Sequence, residues 1–79
     1  MKDIEKLRQQ IDELDDRIIK LLAIRFHLTD QIGAIKRQTE MAVTDSNRER
    51  LIYDKIDDES IAAVYRSLIA ESKRRQGKD

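Results

Sequence analysis

Apolar residues recur along the first half of the chain at alternating steps of three and four positions. The repeating residues are Ile4, Leu7, Ile11, Leu14, Ile18, Leu21, Leu28, Ile32 and Ile35. This heptad spacing is typical of one long helix that packs against another helix, and it predicts a helix from about residue 3 to residue 39. Such a helix would exceed ~50 Å in length. The rest of the chain is too short to cover its apolar stripe, so we expect a second copy of the chain to do so.

Arg25 occupies a position of this stripe where a leucine is expected. A guanidinium in an apolar seam is costly unless an anion meets it, although it could also snorkel or fix the register of the helices. Lys36 follows about three turns later, so both side chains leave the helix on nearly the same face and can converge on a small dianion. Arg8 lies ~25 Å before Arg25 along the axis. It can reach such a ligand only from the partner in an antiparallel dimer. The alternative for Arg8 and Lys36 is ordinary solvated surface.

The second half of the chain predicts two shorter helices, at about residues 46–57 and 60–76. Ser46 and Glu49 fit a capping box for the first of them, and Asp45 or Thr44 could also cap it. Ser60 is the candidate cap of the second, whose basic end, Lys73-Arg74-Arg75, suits the helix dipole. An arginine at position 48, in a first turn, opposes the dipole and should therefore meet an anion or a carboxylate.

Polar residues continue the inward stripe of the last helix. The stripe consists of Ile61, Tyr65, Leu68, Ser72 and Gln76. Because buried hydroxyls and amides need partners, either the helix end leaves the core or the stripe enters a polar pocket. Gly33 is a second irregularity, since glycine within a helix costs about 1 kcal/mol relative to alanine. We therefore expect Gly33 to mark a close approach of backbone or ligand.

Composition narrows the chemistry. The 79 residues include no cysteine, no proline, one histidine and two glycines, and 41% of them are charged. These counts indicate a single, almost entirely helical domain with no disulfide and no thiolate metal site, and the single histidine, His27, disfavours a histidine-based metal site. Sixteen basic and sixteen acidic residues balance, so nothing favours nucleic-acid binding. The chain has neither a bilayer-spanning apolar run nor an N-terminal signal-peptide segment, so we expect a cytoplasmic protein without membrane partners.

Five motifs in order resemble the all-helical chorismate mutases. They are Leu7-Arg8-x-x-Ile11-Asp12-x-Leu14-Asp15, Leu21-Leu22-Ala23-x-Arg25, Ile32-Gly33-x-x-Lys36, Asp45-x-x-Arg48-Glu49 and Ser72-x-x-x-Gln76. The resemblance covers nearly the whole chain and implies an intertwined homodimer of three-helix chains with two equivalent buried sites. Between Glu49 and Ser72 the chain is several residues shorter than the family pattern, and the loss falls in helix 2 or in its link to helix 3.

The resemblance also implies an activity, the rearrangement of chorismate to prephenate in phenylalanine and tyrosine biosynthesis. Arg25 and the partner's Arg8 would bind the two carboxylates of chorismate. Lys36 and Gln76 would donate hydrogen bonds to the ether oxygen. This unimolecular Claisen rearrangement needs a restricted substrate conformer and donors aimed at the developing charge, with no nucleophile, metal or general base. The resemblance therefore implies an enzyme with no metal or other cofactor. Because residue 76 is a neutral amide, we expect no acid-shifted pH optimum.

The remaining implied contacts concern the ring hydroxyl and one carboxylate of the substrate. Glu49 would accept from the hydroxyl, Arg48 and Asp45 would order that corner, and Ser72 would lie near a carboxylate. Two alternatives on the same fold are an isochorismate–pyruvate lyase and an aminodeoxychorismate mutase, and the pairing of Asp45 with Glu49 around Arg48 favours the chorismate mutase. A third alternative is a non-catalytic helical dimer module, against which the presence of Arg25, Lys36 and Gln76 argues.

Overall fold

The predicted long first helix is present in the computed structural model, which describes residues 1–40 and 45–77. Over those residues the chain forms three α-helices and no strand: α1 at Lys2–Gln38, α2 at Ser46–Tyr53 and α3 at Glu59–Gln76. The all-α prediction is therefore confirmed. Helix α1 has 37 residues, and the molecule is 56 Å along its longest axis. No helix in this described part is long and apolar enough to cross a membrane.

Aspartates cap both short helices. The Asp45 carboxylate accepts from the backbone N–H of Arg48 at 3.1 Å. The Asp58 carboxylate accepts from the N–H groups of Ser60 at 2.7 Å and Ile61 at 3.2 Å. The prediction of Ser60 as a cap is therefore wrong, because a charged carboxylate is a stronger acceptor at the positive end of a helix. Thr44, the other candidate cap of α2, lies outside the described residues.

Helix α2 is shorter than the sequence predicts, since it ends at Tyr53 and not near residue 57. The backbone then tightens, with Lys55 N–H donating to the Ile52 carbonyl at 3.1 Å and Ile56 N–H donating to the Tyr53 carbonyl at 3.0 Å. Aspartates near this end oppose the helix dipole, and Asp58 must turn to an extended conformation to cap α3.

Helix α3 packs along the second half of α1, and its polar end is its most buried part. Its buried residues are Ile69, Ser72 and Gln76, and the buried residue of α1 is Gly33. Ile61, predicted to face inward, is 51% exposed. Of the two alternatives for the polar stripe, the helix end does not leave the core; the stripe enters a polar pocket.

The first half of α1 carries an apolar stripe that the described residues of its own chain leave uncovered. All residues from 1 to 21 are exposed, and the stripe includes Leu7 at 58%, Ile11 at 53% and Leu14 at 52% exposure. Large exposed apolar surfaces are typical of interaction sites in proteins.

Candidate active site

The second half of α1, helix α2 with its cap Asp45, and the end of α3 line an open cavity of about 380 Å³. Its walls consist of Arg25, Leu28, Thr29, Ile32, Lys36, Asp45, Arg48, Glu49, Ile52, Ile69, Ser72, Lys73 and Gln76. All of the site residues predicted from the sequence are in this set except Arg8. Arg8 is exposed on the first half of α1, ~25 Å from Arg25 along the helix axis.

Arg25 is held against the cavity wall by a serine. Its Nη1 donates to Ser72 Oγ at 2.8 Å, and Ser72 Oγ in turn donates to the Leu68 carbonyl at 2.9 Å. Ser72 is only 4% exposed, so its hydroxyl is committed to fixing the arginine. A guanidinium has five N–H donors, and the bond to Ser72 uses one of them, which leaves the planar fork with capacity for a carboxylate.

Gln76 places an incompletely satisfied amide on the wall of the cavity. The residue is 8% exposed, and its Oε1 is buried without a hydrogen-bond partner among the described residues. An unsatisfied buried polar atom costs about 1–3 kcal/mol. A primary amide can turn to present either its oxygen or its NH2 group. A polar ligand in the cavity would therefore supply the hydrogen bond that the Gln76 amide lacks.

Gly33 makes the approach of α3 to α1 possible. A Cβ atom at Gly33 would lie 2.8 Å from the Gln76 Cα and 3.1 Å from its Cβ, both well inside ordinary carbon–carbon contact. The close approach predicted from the sequence is confirmed, and it is made by the backbone of α3. Any larger residue at position 33 would push the last turn of α3, with Gln76, away from the cavity.

Lys73 is a cavity residue that the sequence analysis did not single out. Its Nζ lies 2.7 Å from Glu49 Oε1, and both side chains are partly buried. This ion pair joins α3 to α2 across the cavity. The sequence placed Lys73 only in a basic helix end. Its positions relative to Ile69 and Gln76, four residues after one and three before the other, could have revealed the shared face.

Charge in the cavity is biased towards anion binding. Arg25, Lys36, Arg48 and Lys73 outnumber the carboxylates of Asp45 and Glu49 among the lining residues. No histidine or cysteine is among them, and no group of His, Cys, Asp and Glu in the described residues could hold a metal ion. The cavity can therefore bind a dianion and donate hydrogen bonds to it. Its lining residues include no pair of a nucleophile and a histidine base.

On the outer surface of α3, each of two ion pairs raises the pKa of its own arginine. A hydrogen bond from Arg66 to Glu59 at 2.8 Å, assisted by their opposite charges, raises the pKa of Arg66. Glu71 raises the pKa of Arg74 in the same way. Neither arginine lines the cavity, so these shifts do not bear on its chemistry.

Comparison with known proteins identifies the family. The chorismate mutase type II family matches residues 7–77, and the chain belongs to this family. It is 38% identical over 56 residues to a chorismate mutase of Methanocaldococcus jannaschii, covering 71% of this chain and 57% of that protein. It is 30% identical over 82 residues to a bifunctional chorismate mutase/prephenate dehydratase of Aquifex aeolicus, covering 89% of this chain and 23% of that protein. The chain thus spans just over half of one relative and under a quarter of the other. No solved structure gives a significant match.

Proposed function

We propose that this chain is a chorismate mutase that rearranges chorismate to prephenate in the described cavity. The observation that carries the proposal is the convergence of Arg25, Lys36, Glu49 and Gln76 from three different helices on one space of about 380 Å³. Membership in the chorismate mutase type II family supports it. The names of both relatives support it as well.

The cavity suits a reaction that needs positioning and electrostatics only. One C–O bond breaks and one C–C bond forms within the same molecule, so no atom or electron enters or leaves. Arg25, fixed by Ser72, receives a carboxylate of the substrate in its planar fork. This contact holds the flexible side chain of the substrate over its ring, in the compact conformer from which the rearrangement proceeds.

Lys36 and Gln76 act on the ether oxygen, which gains negative charge as its bond to the ring breaks. Donors preorganised in a partly dry cavity stabilise such developing charge more than water does, because they need no reorganisation. Glu49 accepts from the ring hydroxyl, and Lys73, 2.7 Å from Glu49 Oε1, keeps that carboxylate in place. Arg48 and Asp45 order the same corner, where the Asp45 carboxylate caps α2.

A second copy of the chain completes the site with the partner's Arg8. The exposed apolar stripe on the first half of α1 supports a homodimer, because Leu7 and Ile11 are more than half exposed on the single chain. Arg8 lies directly beside this stripe. An antiparallel partner would carry its own Arg8 towards Arg25, and the second arginine would bind the other carboxylate of the substrate. The cytoplasmic location that the sequence predicts stays a prediction.

The activity is tested by following chorismate consumption by absorbance and identifying the product. We expect prephenate from the unmodified protein and a loss of at least about 100-fold in kcat/KM for Arg25→Ala and for Gln76→Ala. Arg66→Ala and Gln31→Ala are matched controls, because neither residue lines the cavity. Absence of turnover, formation of salicylate from isochorismate instead, or equal rates in all variants would overturn the proposal.

The shared site is tested by mixing two inactive variants. Arg8→Ala and Arg25→Ala each damage both sites of their own dimer. A mixed dimer, however, contains one site with both arginines intact. After co-refolding in equal amounts we expect about a quarter of the unmodified activity, since random pairing makes half of the dimers mixed. A fully active monomer in sedimentation, or no recovery on mixing, would exclude the contribution of Arg8.

A further inference from the structure

Gln76 lies at the C-terminal end of a helix, where hydrogen bonds within the helix hold residues less firmly. It is the last residue of α3. The last carbonyls of a helix have no partner within it, and helix ends open at low free energy. Gln76 is nevertheless 92% buried, with 8% of its surface exposed. A group outside α3 must therefore hold this residue against the cavity.

Arg37 of α1 supplies such a group. Its Nη1 donates to the backbone carbonyl of Gln76 at 2.5 Å. This carbonyl lies at the negative end of the α3 dipole, where a cation is favourable. Gly33, about one turn earlier on α1, lies close to the same residue, since a Cβ built at Gly33 would be 2.8 Å from the Gln76 Cα. The backbone of Gln76 is thus fixed on two sides by one helix.

The neighbouring Arg75 reinforces this attachment. Its guanidinium donates twice to the Asp30 carboxylate, from Nε at 3.1 Å and from Nη2 at 2.6 Å, and it lies 4.5 Å from the centroid of the Phe26 ring. A two-bond arginine–carboxylate pair fixes orientation as well as distance. The α1 residues that contact the end of α3 lie on one face of that helix: Phe26, Asp30, Gly33 and Arg37.

We propose that Arg37 is a positioning residue for Gln76, which it holds in place through the backbone carbonyl at the end of α3. The proposal rests on the proposed function for its kinetic consequence. Arg37 does not line the cavity, so its effect on the reaction passes through Gln76. The Gln76 bond strengthens as charge develops on the ether oxygen, so misplacing the amide lowers kcat and leaves KM nearly unchanged.

A double-mutant cycle tests this coupling. Arg37→Ala should lower kcat roughly tenfold, with KM changed less than about twofold, because a displacement near 1 Å is enough for a loss of this size. In a Gln76→Ala background, Arg37→Ala should cause no further loss. Arg37→Lys can still donate to the carbonyl and should recover most of the rate. Arg66→Ala, an exposed arginine on α3, is the control for loss of charge alone. Additive losses in the double variant, or an unchanged rate in Arg37→Ala, would overturn the proposal.

Nuclear magnetic resonance gives a readout that does not depend on turnover. In protein labelled with ¹⁵N-glutamine, the side-chain NH2 signals of Gln76 are those missing from Gln76→Ala. Arg37→Ala should shift or broaden these signals, and Arg37→Lys and Arg66→Ala should leave them in place. Unchanged Gln76 signals in Arg37→Ala would refute the positioning role even if the enzyme were active. Absence of chorismate turnover in the unmodified protein would instead refute the proposed function, and the spectra would still decide the role of Arg37.

Discussion

Replacing Gly33 with alanine sets two effects of known sign against each other. Within a helix, alanine is favoured over glycine by about 1 kcal/mol, and without a neighbour the substitution would stabilise α1. The new methyl group, however, would lie 2.8 Å from Gln76 Cα and 3.1 Å from its Cγ. Ordinary contact begins at about 3.5 Å, so α3 must retreat by roughly 0.7 Å. Overpacking of this kind costs about 1–3 kcal/mol. We expect net destabilisation of about 1 kcal/mol.

The same retreat should damage activity more than stability. It carries the Gln76 amide away from the cavity and lengthens the bond between Arg37 and the Gln76 carbonyl. A misplacement near 1 Å can cost up to about 100-fold in rate, and we expect a loss of at least tenfold in kcat for Gly33→Ala.

Urea unfolding followed by circular dichroism, at one fixed protein concentration, gives the free energy of unfolding, and chorismate consumption gives the rate. Gly77→Ala is the matched control, since a Cβ there would lie at an ordinary 3.6 Å from the nearest atom, the Lys73 carbonyl oxygen. If Gly33→Ala raised the free energy of unfolding by the full helix-propensity gain and kept its rate, the argument from close approach would be refuted.

Four further outcomes follow from the structure. Arg25→Leu should raise or maintain the urea midpoint and lower kcat/KM at least about 100-fold. A fully active leucine variant would contradict the assignment of Arg25 to an anion site. Lys73→Met should raise KM several-fold by releasing Glu49, whereas Lys73→Arg should retain the ion pair and the KM. Equal KM values in Lys73→Met and the unmodified protein would argue against a role for this ion pair in substrate binding. A pH–rate profile should show no maximum below about pH 5, because Gln76 does not ionise there, and a sharp acid optimum would contradict this. Glu40 adopts a φ of 58°, a left-handed conformation that costs a residue with a Cβ about 1–2 kcal/mol. Glycine loses about 0.5–1 kcal/mol more conformational entropy on folding, so Glu40→Gly should raise the free energy of unfolding by about 0.5–1 kcal/mol; a fall would show that the side chain has a role of its own.

The sequence was most informative where one helix carries the pattern. On a helix, spacing alone places Arg25 and Lys36 on one face and separates Arg8 from them, because the rise and turn per residue are constant. The sequence was less reliable at helix ends. It placed the end of α2 near residue 57 and the cap of α3 at Ser60, because competition between neighbouring aspartates for the caps is decided by local geometry.

The amino-acid sequence by itself determined the three helices, the apolar stripe, and the set of polar residues available to one cavity. Contacts between helices were decided only by the tertiary structure. These include the ion pair of Lys73 with Glu49, the hydrogen bond from Arg37 to the Gln76 carbonyl, and the close approach of Gln76 to α1 at Gly33. The physical reason is that long cationic side chains reach many partners from the same position, and their choice depends on how closely two helices approach. That distance is set by packing between residues far apart in the chain, which no local pattern encodes.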